Sequence, residues 1–382
     1  MKKILVFALM LTAAVTLAAC DSRPVLRILN WGEYINDAVV DRFEEESGYR
    51  VIVDVADSNE AFYSKIKSGT TAYDIVIPSD YMIEKMQEEN MLIELDYSLL
   101  TNRSTVTYMS GVDQIFDSMT ATTLTRTEET VDFTKYAVPY FWGTFGIIYN
   151  NRVAGLQTAL ETNGWAAYFD PSKAPAGVRR GMYDVPQFAY AAAMLYLEEN
   201  VNAFSQTLLD QAEDAIDQAN FVEWGDDSLK RNVEAGNLDM ALVYTGDYLD
   251  RLYIQLEEGK TLAEVQADFN IYVPEDTFVF ADMMVIPNTS KNVDRAHEFI
   301  NFMLQADVVA LNAEVVGYAA ALVEAYDLIV ANLTSNDEWY QNWALANQTY
   351  YNKDAVLNVA PLTALSPTDI DKINTMIDNV RS

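Results

Sequence analysis

Short apolar runs alternate along the chain with stretches in which apolar positions recur at helical spacing, the order expected of α/β layers. Val25-Leu26-Arg27-Ile28-Leu29 predicts a first strand. Beyond the turn Asn30–Tyr34, the segment Ile35–Ser47 predicts a helix with Val39, Val40 and Phe43 on one face, and Gly48 is placed to end it. Arg50–Val55 predicts a second strand. Ser58 is suited to cap a helix reaching about Lys67, and Tyr73–Ile77 predicts a third strand that stops at Pro78-Ser79. Two βα units with short connections imply parallel strands. Ligands of open α/β sheets collect beyond the carboxyl ends of the strands, so the informative loops are 30–34, 57–59 and 78–81.

The same style continues downstream. Val138–Asn150 predicts extended chain leading into a buried strand, and its Gly143 and Gly146 suit a crossover between domains. Met240–Tyr244 predicts a strand that gives way at Thr245-Gly246-Asp247 to a helix, and Thr277–Ile286 another that runs up to Pro287. Helices over Gln187–Asn200 and Phe204–Gln218 are expected to cover the second domain. The threonine-rich stretch Ser118–Thr134 predicts an inserted hairpin or mobile loop without an assigned role. In Val293–Leu304, Ala296, Phe299, Ile300 and Met303 share one helical face, which places His297 on a polar flank.

The N-terminus departs from this pattern. Lys2 and Lys3 precede an almost unbroken apolar run from Ile4 to Ala19, and Leu17-Ala18-Ala19-Cys20 closes it. A basic start, a short apolar segment and small residues before a cysteine predict a lipoprotein export signal, residues 1–19, with lipid attached to Cys20 and residues 20–24 as tether. Cys20 is the only cysteine, so no disulfide is available and stability must come from a core. The remaining length exceeds what one hydrophobic core usually organises, which predicts two domains.

Charge and composition narrow the function. Twenty-five Lys+Arg against 57 Asp+Glu give a net charge of −32, a field that repels nucleic acid and anionic lipid heads and attracts cations. With one histidine and one cysteine there is no Ser-His-Asp set, no Cys-His pair and no histidine-rich zinc site. Carboxylate-based hydrolysis remains open, although no spacing selects a pair. No Walker-type loop, EF-hand loop or long repeat occurs.

Several runs are more specific. Asn30-Trp31-Gly32-Glu33-Tyr34, Ser58–Lys65, Tyr73–Tyr81, Pro139-Tyr140-Phe141-Trp142-Gly143 and Gly317-Tyr318, in that order, resemble the spermidine/putrescine-binding lipoproteins of bacterial polyamine ABC transporters. The resemblance spans about Val25 to Arg381 and is weakest over Ser118–Thr134 and beyond about Leu322. It implies an α/β periplasmic-binding-protein fold of type II: two α/β lobes joined by crossing strands with a ligand cleft between them. The first lobe is expected over 25–140 plus 281–312 and the second over 141–280 plus 313–382.

A polyamine needs carboxylates at its ammonium groups and apolar or aromatic walls along its methylenes. By resemblance, Trp31 and Tyr34 belong to the first lobe's aromatic wall, with Glu33 a carboxylate beside them, while Gly32 replaces a hydroxyl residue common there. Ser79 and Tyr81 match a ligand-facing Ser-x-Tyr, and Asp80 between them points either way. In the second lobe Asp184 matches an acidic position, Gln187 stands where spermidine binders carry a second carboxylate, and Asp226 lies at a polar contact. Tyr244 takes the place of a family tryptophan, Asp247 matches an acidic residue of putrescine-selective relatives, and Tyr318 fits a tyrosine after glycine. Phe280 and Asp282 match an aromatic-x-Asp pair, with Asp282 the foremost candidate for gripping an ammonium group. The family's C-terminal glutamine has no counterpart at Asn358–Pro361.

Gln187 and Asp247 together lean towards putrescine over spermidine. The expected role is extracytoplasmic, non-enzymatic capture by a lipid-anchored monomer that delivers polyamine to a permease, with no cofactor or metal and no nucleic-acid partner. Alternatives are a receptor for another cationic solute or for ferric ion, the latter drawing on Tyr350-Tyr351, an extracytoplasmic hydrolase, and a non-transporting surface lipoprotein. Asp184 and Asp247 each also suit a helix start.

Overall fold

The computed structural model describes residues 22–120, 122–123, 130–351, 358–363 and 365–382, so the export signal and Cys20 lie outside the described residues. Strands β1 (Val25–Asn30), β2 (Arg50–Val55) and β3 (Ile75–Val76) pair in parallel in the order β2-β1-β3. The helix between the first two spans Asp37–Ser47, two residues later than expected, because Asn36 takes the cap by accepting the Ala38 amide. Gly48 ends it at a φ of 73°, and Ser58 caps the next helix, Asn59–Ser68, through the Ala61 amide.

The threonine-rich stretch contains the end of the helix Ser110–Met119 and a small antiparallel hairpin, β4 (Thr122–Thr123) with β5 (Thr130–Val131); its tip lies outside the described residues. Strand β6 (Ala137–Asn150) follows, buried over all 14 residues. In the second half of the sheet β7 (Arg180–Tyr183) pairs in parallel with β8 (Glu223–Gly225) and β9 (Met240–Tyr244). Strands β10 (Phe269–Tyr272), β11 (Asp276–Val285), β12 (Ala319–Ala320) and β13 (Asn358–Pro361) complete it. The order is β2-β1-β3-β11-β6-β9-β7-β8, with β10 and β12 also on β6 and β13 on β11.

Strands β6 and β11 run antiparallel through the middle and join the two halves. Pairing on β6 changes near Thr144: residues 137–144 bond β11 and residues 145–149 bond β9. The buried apolar side chains form two clusters, and Tyr183 and Tyr318 border both. Flanking helices follow the expected pattern with tighter limits. Pro186–Tyr196 starts on a proline, and Gln206–Ala219 runs from a Ser205 cap to Asn220 in the left-handed region. No helix among the described residues is long and apolar enough to cross a membrane.

His297 corrects the sequence reading. It is 2 % exposed rather than on a polar flank, because the loop at Asp96 folds over that side of the helix Val293–Phe302. Its Nε2 accepts the Asp96 amide at 2.9 Å and its Nδ1 lies 2.8 Å from the Val293 carbonyl, which fixes the neutral ring with its proton on Nδ1.

Candidate functional site

The site gathers where β1, β3 and β9 end beside the middle of β11. The pairing of β11 with β6 shifts register between Asp282 and Met283, where Tyr140 is the extra residue on β6, and there Ser79 forms an isolated bridge to Asp282. Bulges re-aim side chains, and this one turns Tyr140 of β6, while the bridge to Ser79 holds Asp282 against the chain leaving β3. Asp282 is buried and accepts two hydrogen bonds, from the Tyr34 hydroxyl and the Ser79 hydroxyl, each at 2.7 Å. Burial pushes its pKa up from 3.8 to about 6, while the two hydroxyls pull it back.

Each hydroxyl is itself positioned. Asn59, the first residue of its helix, accepts the Ser79 amide at 3.0 Å and donates to the Ser79 and Tyr81 hydroxyls at 3.0 Å. In the 30–34 loop Glu33 sits at a left-handed φ of 52° and is exposed, while Tyr34 is buried. The Tyr34 carbonyl accepts the Asn30 side-chain Nδ2 at 3.3 Å and the Tyr140 hydroxyl at 2.6 Å, which cinches the loop onto β6.

Asp80 points inward. Its Oδ1 accepts the Tyr81 amide at 2.9 Å, and its Oδ2 is buried facing the Ala281 amide without a well-formed hydrogen bond. Burial holds the Asp80 carboxyl well above the usual range and the charge of Asp282 raises it further, against the pull of the Tyr81 amide. Among the described residues no lysine or arginine stands with the groups that act on either carboxyl.

Four rings surround this acidic pair. Tyr318 meets Tyr34 edge-on at 5.2 Å between centroids, Phe280 at 5.9 Å and Tyr244 at 6.2 Å, and Tyr244 meets Phe280 at 4.8 Å. Glycines let the rings in: a Cβ on Gly246 would lie 2.5 Å from the Tyr318 ring, and one on Gly143 would lie 3.0 Å from Phe280.

Asp247 lies on the far side of these rings, in the first turn of the helix Thr245–Glu257. Its Oδ2 accepts the Tyr244 amide at 3.1 Å, so the helix-start reading holds. Its Oδ1 lies 3.2 Å from Lys230 Nζ and 3.5 Å from the Tyr318 hydroxyl. Burial pushes Asp247 up to about 6, with Lys230 opposing it. Burial works against the charge of Lys230, and Asp247, Asp250 and Asp227 outweigh it, so its pKa is raised.

Tyr34, Ser79, Asp80, Tyr81, Tyr244, Asp247, Phe280, Asp282 and Tyr318 thus come together, and five other candidates lie around them. Trp31 packs edge-on against Phe62 and donates its indole N–H to the Ile77 carbonyl at 2.8 Å. Glu33 faces solvent. Asp184 is exposed and paired with Arg381, whose guanidinium lies over the Trp224 ring. Gln187 donates to the Thr363 carbonyl at 3.1 Å, and exposed Asp226 accepts the Ser228 amide at 3.2 Å. Tyr350 and Tyr351 engage the scaffold: the Tyr350 hydroxyl donates to Asn270 at 2.7 Å and the Tyr351 hydroxyl to the Gly317 carbonyl at 3.1 Å.

Three contributors escaped the sequence reading. Asn59 carried a signal, since it follows the capping Ser58 in one of the informative loops. Tyr183 ends β7 with its ring 5.3 Å from Tyr244. Lys230 has only Asp227, three residues before it, as a local partner; its role rests on contacts with Asp247 and Asp250 of another helix.

Comparison with known proteins agrees with the resemblance read from the sequence. Residues 38–348 match the family described as bacterial extracellular solute-binding protein. The chain is 28% identical over 344 residues to the putrescine-binding periplasmic protein PotF of Escherichia coli, covering 87% of each chain. It is 24% identical over 356 residues to the spermidine/putrescine-binding periplasmic protein of the same organism, covering 89% of this chain and 93% of that one. Among solved structures, a putative spermidine/putrescine ABC transporter from Listeria monocytogenes superimposes with a TM-score of 0.68 at 30% identity, over 94% of this chain and 98% of that one. With its α/β fold and a family match across most of its length, the chain belongs to the bacterial extracellular solute-binding proteins, which serve transport and not catalysis.

Proposed function

We propose that this protein captures a polyamine outside the cytoplasm and delivers it to an ABC transporter permease. The observation that carries this reading is the buried Asp80–Asp282 pair, which has hydrogen-bond donors but no basic partner among the described residues and is walled by Tyr34, Tyr244, Phe280 and Tyr318. An ammonium group supplies the missing charge, and the ring faces take the methylenes and the cation together. The names of the relatives support the same ligand class.

Energetically, two charge-assisted contacts of about 1.5–3 kcal/mol each and one or two cation–π contacts of about 0.5–2 kcal/mol reach the roughly 8 kcal/mol of a micromolar complex. The two halves of the sheet act as lobes that close over the ligand, and closure presents the surface the permease reads. The lipid on Cys20 keeps the receptor, a monomer, beside that permease. Within the ligand class the site prefers putrescine to spermidine.

A thermal-shift panel tests the reading. Putrescine, cadaverine, spermidine and spermine are compared with amino acids and sugars, and a ligand at a hundred times its Kd stabilises the fold by about 2.7 kcal/mol. Polyamines are expected to raise the melting temperature and the other solutes to leave it unchanged. A panel in which no polyamine acts overturns the proposal.

A further inference from the structure

The two acidic ends of the site are built differently. Asp282 and Asp80 receive hydrogen bonds from hydroxyl and amide groups, all neutral. Asp247 has a cation of its own: Lys230, buried on the short helix Ser228–Glu234, brings Nζ to 3.2 Å of its Oδ1. Asp250 at 3.1 Å and Asp227 at 3.6 Å surround the same ammonium. The other oxygen of Asp247 is occupied by the Tyr244 amide, and Tyr318, which bridges the two ends, has its ring on Tyr34 and its hydroxyl 3.5 Å from Asp247.

We infer that Lys230 determines specificity, by limiting the positive charge that the Asp247 end of the site accepts; this rests on the polyamine reading above. An ammonium arriving beside Tyr318 meets a carboxylate oxygen, Asp247 Oδ1, that a resident cation already holds at 3.2 Å. A diamine satisfies the asymmetry: one ammonium is gripped at Asp282 and the other rests among the rings and hydroxyls. A triamine brings a third charge, and the carboxylate at this end that reaches Tyr318, Asp247, already has one oxygen on Lys230 and the other on the Tyr244 amide, so Lys230 opposes the added ammonium. Three carboxylates keep Lys230 protonated, so the limit is a fixed charge and not a proton switch. Discrimination comes from the repulsive element and not from an extra contact to the favoured ligand.

The same geometry allows a purely structural lysine that ties the Ser228–Glu234 helix to Asp247, and the experiment separates the two. Putrescine and spermidine affinities are measured by calorimetry on the full mature chain, the Lys230→Met variant, which keeps the apolar stem, and the Lys230→Arg variant, which keeps the charge. Loss of charge is expected to raise the spermidine-to-putrescine affinity ratio about tenfold, and the arginine variant to retain the original ratio. Lys230→Gln serves in place of the methionine variant if that protein does not fold. An unchanged ratio in a folded, charge-free variant overturns the specificity role and leaves the polyamine reading standing. If the unaltered chain binds neither amine, the polyamine reading itself fails and this inference falls with it.

Discussion

Replacing Asp282 by asparagine is expected to strengthen the unliganded protein while weakening its grip on an amine. Burial holds this carboxyl at about 6 against 3.8, a difference that corresponds to about 3 kcal/mol between its two protonation states. The folded protein binds that proton more tightly than the unfolded chain does. The stability it contributes is therefore full below about pH 4 and is lost as pH rises through about 6. Above that, the ionised carboxylate is held in a site that disfavours it.

Asparagine keeps the shape and one acceptor, and its amide group faces one of the two hydroxyls in place of the second carboxylate oxygen. Exchanging that charge-assisted bond for a neutral one offsets about 1 kcal/mol, which leaves Asp282→Asn about 1–3 kcal/mol more stable at pH 8. Denaturant unfolding without ligand, repeated at pH 8, 6 and 4, should show the advantage shrinking to nothing in acid. Calorimetry on the same variant should show putrescine binding at least roughly tenfold weaker, about 1.4 kcal/mol. A variant less stable than the parent at pH 8, or a stability difference indifferent to pH, would refute the claim that a strained carboxylate sits here; unchanged affinity would remove Asp282 from the site.

Two further substitutions probe the scaffold. Gly246→Ala places a methyl group 2.5 Å from the Tyr318 ring and must displace it; polyamine affinity measured by calorimetry should fall about tenfold, with about 1–3 kcal/mol lost in urea unfolding. His297→Ala empties a buried side-chain site and leaves the Asp96 amide without its acceptor, and should lose about 2–3 kcal/mol in urea unfolding while ligand affinity stays unchanged; altered affinity would tie this remote histidine to the site.

The first strands, their caps and the strand through both glycines were legible because their signals are local. Asn36 shifted one helix start by taking the cap itself, which a hydrophobic pattern does not register. Asp282 was legible through its alternation with Phe280, yet the bridge that seats its carboxylate against Ser79 appears only when β11 meets β6 and the chain leaving β3. His297 misled for the opposite reason: helical spacing places it on a flank, and a loop some two hundred residues earlier turns that flank into an interior. Lys230 was invisible because two of its three acidic neighbours, Asp247 and Asp250, come from another helix, and Asp227 alone is near it in sequence. Asp184 and Asp226 show the limit of position in sequence, since a strand end that faces the rings at Tyr244 faces solvent one residue beyond Tyr183.

The pairing of β6 with β11 sets the order in which the chain completes itself. Strand β3, at residues 75–76, has β1 on one side and β11 on the other, so the edge of the first half stays open until residue 285 has been made. Strand β6 likewise waits, between residues 137 and 150, for β9, β10 and β11. Contacts so distant in sequence are slow to form. A chain emerging from the ribosome therefore reaches most of its length before either half is sealed, and it remains threadable during the interval in which a secreted protein has to cross a membrane.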